Sequence, residues 1–205
     1  DRVHSVSRHA LEVRQEEILR ATVDEISARG LANVRVADVA AKLNISSALV
    51  FYHFATKERL IATAYAYAAD QDLAALAELA AAGGSAADRL RSILKFYLPS
   101  RNTVSWELWI DAWGAALRWD DVRRTSSTVD RKWKDEVASV IAAGVAADEF
   151  NCADPNAAAW RLTALIDGLA IQLVANRNGV NRKEMGRWVA EAAAAEVGCP
   201  VAKLL

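Results

Sequence analysis

Ser47, Ala48, Tyr52, His53, Thr56 and Lys57 crowd into one short stretch and bring hydroxyl, phenol, imidazole and ammonium groups together. Such groups bond phosphate oxygens and base edges, and small residues such as Ser47 and Ala48 let a backbone approach a large ligand surface closely. Arg35, a little upstream, is either a further phosphate contact or an ordinary solvated charge. A second set of residues suits a different chemistry. Trp106, Trp109 and Trp113 recur at i, i+3 and i+7 on one helical face, and downstream Trp160 and Asp167 place an indole and a carboxylate on another apolar helix. Indole faces attract cations and a buried carboxylate needs a partner, so these residues are either core packing or the wall of a pocket for a small, cationic molecule. The ordinary partner for Asp167 would be an arginine such as Arg118, or a helix end.

Catalytic patterns are missing. The sequence holds no His-Glu-x-x-His, no Glu-x-x-His and no Gly-x-Ser-x-Gly, and no histidine after His53 that could act as a base for a later nucleophile. Cys152 and Cys199 are the only cysteines, far apart and remote from any histidine pair. The expectation is therefore a protein that is not an enzyme and has no cofactor or metal site, in a reducing cytoplasm.

Apolar residues recur at helical spacing along nearly the whole chain, so an all-α fold is expected. A first helix is predicted over 11–29, with Ile18, Leu19, Val23 and Ile26 on one arc and Gly30 as its stop; Arg2, His4, Arg8 and His9 before it read as a basic arm. Short helices over 36–43 and 47–53 follow, separated by a turn at 44–46. Val39, Leu43, Ile45 and Val50 can lock this pair, Ala40 is the small contact, Asn44 can take the left-handed turn position, and Ser46 or Ser47 can cap the second helix. A long helix over 56–82 ends at Gly83-Gly84, and further helices are predicted over 86–98, 104–118, 122–147, 155–176 and 182–197. Two domains follow from this pattern: 1–55, carrying the paired short helices, and a larger helical domain over 56–205.

With 205 residues, 53% of them hydrophobic, and only three prolines, the chain is neither disordered nor low in complexity. Net charge is −1, and residues 1–60 carry nine Lys/Arg against eight Asp/Glu, so whole-chain charge does not by itself attract an anionic polymer. The longest strongly apolar run read from the sequence, Leu60 to Ala69, is about half a bilayer span, so no membrane segment or signal peptide is expected.

The order Glu17-Ile18-Leu19-Arg20-Ala21, Gly30, Val36-Ala37-Asp38-Val39-Ala40 and Phe51-Tyr52-His53-Phe54-Ala55-Thr56-Lys57-Glu58-Arg59-Leu60 closely resembles the N-terminal domain of TetR-family repressors over about residues 12–62. Around Trp106 to Gly168, the Asp-Pro-Asn-Ala-Ala-Ala-Trp-Arg-Leu and Leu-Ile-Asp-Gly-Leu segments resemble the C-terminal domain of the family's BetI-like branch. The resemblance implies a transcriptional repressor that binds double-stranded operator DNA through a helix-turn-helix and is released by a small-molecule effector. It implicates Ser47, Ala48, Tyr52, His53 and Lys57 in DNA contact. Phe51 stands where many members carry a tyrosine that reaches a phosphate, so that bond cannot form, and Phe51 is expected to serve packing. The helix over 155–176 is apolar nearly all round and must be covered on both faces. A homodimer through 155–176 and 182–197 would cover it, presenting two reading helices about 34–36 Å apart to successive major grooves.

Overall fold

The computed structural model describes residues 2–100, 104–176 and 179–205, with the side chains of residues 2–10 and 104 outside the description. Every regular element among the described residues is helical: α1 Arg2–Arg29, α2 Val36–Lys42, α3 Ser47–Phe54, α4 Lys57–Ala81, α5 Ala86–Tyr97, α6 Val104–Ala116, α7 Asp120–Ala146, α8 Pro155–Ile171 and α9 Arg182–Val197. The expected basic arm is instead backbone helix continuous with α1. Its residues include no glycine or proline to stop propagation, and a run of charge is no obstacle to a helix. The helix expected over 122–147 begins two residues earlier, with Asp120 and Asp121 in the first turn of α7. Acids there complement the positive end of the helix dipole.

Local chemistry fixes most boundaries. Ser46 accepts the Leu49 N–H at 3.2 Å and caps α3, Thr56 accepts the Arg59 N–H at 3.1 Å at the head of α4, and Ser85 and Asp88 cap each other's backbone at α5. Asp154 caps α8 with Pro155 in its first turn, and Asn181 with Glu184 caps α9. The end of the long apolar helix departs from the continuous reading: α8 stops at Ile171 and a π-helical turn occupies Gln172–Asn176.

The chain divides into two compact units. One comprises Asp1–Asp70 and Glu107–Thr128, the other Gln71–Trp106 and Val129–Leu205. In the first, Ile18, Ile26, Leu31, Val39, Leu60 and Tyr65 are fully or almost fully buried and carry the paired short helices. In the second, Leu90, Ile93, Ile141, Leu162, Ile166 and Met185 form the core. Gly144 is required there, because a Cβ at that position would lie 2.1 Å from the Phe150 ring and 2.9 Å from Ala86 Cβ. Glu149, just beyond α7, accepts the N–H groups of Ala86 and Ala87 at the head of α5.

Pro155–Asn176 has the length and composition to cross a membrane, with an 18-residue window of mean hydropathy 1.3 that is 33% buried, although Arg161 and Asp167 interrupt it. One face of α8, with Ala158, Ala159, Leu162 and Ile166, is buried within the chain. The other shows Trp160 at 59% exposure, and α9 shows Trp188 at 37%.

Candidate functional site

The paired helices in the first unit form as their residues require. Val39, Ala40 and Val50 are buried between α2 and α3, while Leu43 and Ile45 are half-buried. Asn44 adopts φ 53°, the left-handed turn geometry that asparagine tolerates. Beyond α3, Ala55 also sits at φ 63°, and its N–H returns to the Phe51 carbonyl at 2.7 Å. Nothing in an alanine signals that conformation in advance.

On the outward face, Ala48 is exposed, Ser47 and His53 are half-buried, and Tyr52 stands 75% exposed with its ring edge-on to His53 at 5.4 Å. Phe51 is 43% exposed, which corrects the expectation that it serves packing alone. Thr56 is exposed but uses its oxygen as the cap of α4. Lys57 is turned towards its own unit: its Nζ lies 3.4 Å from the Ala32 carbonyl and 5.9 Å from the centre of the Trp119 ring. Together with exposed Arg35 and Arg29 it rims a polar hollow of about 510 Å³. Arg29 is already paired with Glu25 at 3.1 Å and Asp38 at 3.2 Å.

The second unit gathers aromatic and charged side chains from four helices. Tyr97 of α5 stacks on Trp133 of α7 at 4.6 Å and on Trp106 of α6 at 5.6 Å, and Phe96 stacks on the same Trp133 at 6.0 Å. The Trp106 indole N–H donates to the Tyr97 carbonyl at 3.2 Å. The Tyr97 hydroxyl donates to Asp167 of α8 at 2.6 Å. Burial pushes the Asp167 carboxyl up to about 6; the Tyr97 hydrogen bond and the Lys134 ammonium act against that rise, and the Asp130 carboxylate adds to it. Lys134, itself buried, is bound by Asp130 one turn earlier on α7 and holds its ammonium 3.8 Å from the centre of the Trp160 ring. Two carboxylates therefore face one ammonium, so with Asp167 ionised this corner carries one net negative charge beside stacked rings.

Residues 18–64 match the family model of bacterial regulatory proteins of the tetR family, and residues 86–198 match that of the BetI-type transcriptional repressor C-terminal domain. The chain belongs to the TetR family, in its BetI-type branch. It is similar to the HTH-type transcriptional regulator BetI of Stenotrophomonas maltophilia, 29% identical over 164 residues, which span 77% of this chain and 79% of that protein. It is also similar to a crystal structure of a transcriptional regulator from Saccharomonospora viridis in complex with choline. That match has a TM-score of 0.80 at 26% identity and covers 91% of this chain and 98% of that one. A TetR-family regulator from Rhodococcus sp. matches with a TM-score of 0.72 at 26% identity, over 89% of this chain and 95% of that one.

This TetR-family regulator brings together only some of the residues that the sequence singled out for a ligand. Trp106 and Asp167 belong to the aromatic cluster of the second unit. Trp109 and Trp113 belong to the first unit, where Trp109 meets buried Tyr65 edge-on at 5.7 Å and Trp113 lies 6.4 Å from Trp109. Trp160 is largely exposed and capped by Lys134 rather than enclosed by a cavity wall. The partner of Asp167 is Tyr97, in place of Arg118 or a helix end; Arg118 belongs to the first unit. Tyr97, Trp133, Phe96, Lys134 and Asp130 were missed as site residues. The i, i+4 pairing of Asp130 with Lys134 was readable, but the link from Tyr97 to Asp167 spans 70 residues and leaves no local trace.

Proposed function

We propose that the regulator is a homodimeric repressor whose hold on operator DNA is released by a small quaternary or tertiary amine of about the size of choline. The single observation that carries this reading is the stack of Tyr97, Trp106 and Trp133 beside the buried carboxylate of Asp167. Aromatic faces and a carboxylate held away from water are the two features that recognise a substituted ammonium, which has one N–H or none to donate. The single net negative charge of the Asp130, Asp167 and Lys134 group would be neutralised by one monocation. The choline carried by the Saccharomonospora viridis regulator supports the same class of ligand.

In this reading residues 1–55 are the DNA-binding domain, with Arg35, Ser47, Ala48, Tyr52, His53, Thr56 and Lys57 at the duplex, and Phe51 joins them through apolar contact with a sugar or thymine methyl. Residues 56–205 form the effector-binding and dimerisation domain. The outward apolar face of α8, with Trp160, and that of α9, with Trp188, pack against the same faces of a second copy. The same reading makes the protein a cytoplasmic regulator without enzymatic activity.

Isothermal titration with choline chloride tests the ligand. Binding by the wild-type protein, weakened about tenfold or more in Asp167→Asn, is expected, because a charge-assisted contact becomes a neutral one. Equal affinities in the two proteins would refute the carboxylate's role, and the absence of binding to choline, betaine and tetramethylammonium alike would refute the ligand class.

A further inference from the structure

The turn that leads into the reading helices has no local cap. Gly30 sits at φ 78° and ψ 151° ahead of the 3₁₀ turn Leu31–Asn33, and as glycine it offers no side chain to the first free N–H of that turn. Leu31 is 1% exposed, so its N–H would lie unsatisfied away from water. The missing acceptor comes from α6: Asp111 Oδ2 accepts the Leu31 N–H at 2.9 Å across 80 residues of sequence. The fit is close, since a Cβ on Gly30 would lie 3.2 Å from the same oxygen. From the other side Lys57 approaches the Ala32 carbonyl. The turn is therefore gripped at a donor by a carboxylate and at an acceptor by an ammonium. Val34, fully buried, and Arg35, the N-terminal boundary of α2, follow at once.

We infer that Asp111 is a positioning residue for DNA reading: without touching the duplex, its bond to Leu31 holds the Gly30–Asn33 turn in the place from which α2 and α3 meet operator DNA. The inference rests on the conclusion that α3 reads DNA. The carboxylate is itself solvent-exposed, so the bond can open without burying a charge. A hollow of about 290 Å³ beside it, walled by Leu31, Ala32, Ile110, Gly114, Ala115 and Trp119, gives the turn room to shift when it does.

The test uses the full chain and a duplex enriched by in vitro selection with the wild-type protein. Asp111→Ala is expected to weaken duplex binding about tenfold, as the fraction of molecules with the turn in place falls. Asp111→Asn, which keeps an acceptor oxygen, is expected to restore most of that loss. A merely stabilising residue would lower the melting temperature and leave the affinity of folded protein unchanged. Hydrogen exchange of the Leu31 amide in the wild-type protein gives a readout that needs no variant, and slower exchange in the DNA complex is expected. Asp111→Ala binding within twofold of wild type, or Leu31 exchange unaltered by DNA, would overturn the inference. Failure of the wild-type protein to enrich any duplex would overturn the DNA reading beneath it.

Discussion

Replacing Asp167 by asparagine should stabilise the ligand-free protein at neutral pH, and the gain follows from the site itself. Burial raises the carboxyl from 3.8 to about 6, so folding favours the protonated acid. Below the unfolded value both states hold the proton and no penalty exists. As pH rises from about 4 to about 6 the unfolded chain releases its proton before the folded one, and stability falls; above about 6 the penalty is complete. A difference of about two pKa units corresponds to about 3 kcal/mol, an upper figure because the group retains some contact with solvent. Asparagine keeps an oxygen for the Tyr97 hydroxyl but cannot ionise. Urea unfolding of both proteins at one fixed protein concentration, followed by tryptophan fluorescence at several pH values, isolates the effect of this corner, since titrating groups remote from Asp167 cancel in the difference. The advantage of Asp167→Asn over wild type should grow by up to about 3 kcal/mol between about pH 4 and pH 7. A flat difference across that range would refute the argument that Asp167 is ionised against its surroundings. Choline should narrow the gap at neutral pH by stabilising the wild-type protein more than the variant.

Two other substitutions probe the framework and the DNA face. Gly144→Ala should lower the melting temperature although alanine favours helix by about 1 kcal/mol, because overpacking against Phe150 and Ala86 costs about 1–3 kcal/mol and the approach of 2.1 Å forces a shift; a higher melting temperature would show that Phe150 moves away freely. Tyr52→Ala and Phe51→Ala should each weaken duplex binding about fivefold or more while leaving the melting temperature nearly unchanged, since both side chains are exposed. Binding at wild-type strength in both variants would remove this face from the DNA contact.

The reading helices were legible because their signals are local. A small residue at position 40, asparagine at 44, serine at 46 and apolar residues at 39 and 50 all act within one short segment, and the structure uses each as its chemistry suggests. Phe51 departs from its expected packing role because the loss of a phosphate-reaching hydroxyl does not by itself bury a ring. The aromatic cluster was only half legible. Helical periodicity correctly grouped Trp106, Trp109 and Trp113 on one face, but the neighbours of a helix change along its length, so Trp106 meets Tyr97 whereas Trp109 meets Tyr65. Likewise, the carboxylate of Asp167 announced a buried partner without saying that a phenol 70 residues away would supply it. The cap that Asp111 gives to Leu31 escaped for the same reason, because a glycine at position 30 says only that the helix stops.

A cation held at the aromatic cluster should loosen the grip on DNA. Fluorescence anisotropy of a labelled, in vitro selected duplex, titrated with the protein in the absence and presence of saturating choline chloride at constant ionic strength, tests it directly. Duplex binding by the wild-type protein should weaken about tenfold or more with choline, and the choline concentration needed for that effect should rise about tenfold or more in Asp167→Asn. Identical duplex affinity with and without a choline concentration shown by titration to occupy the wild-type protein would contradict it.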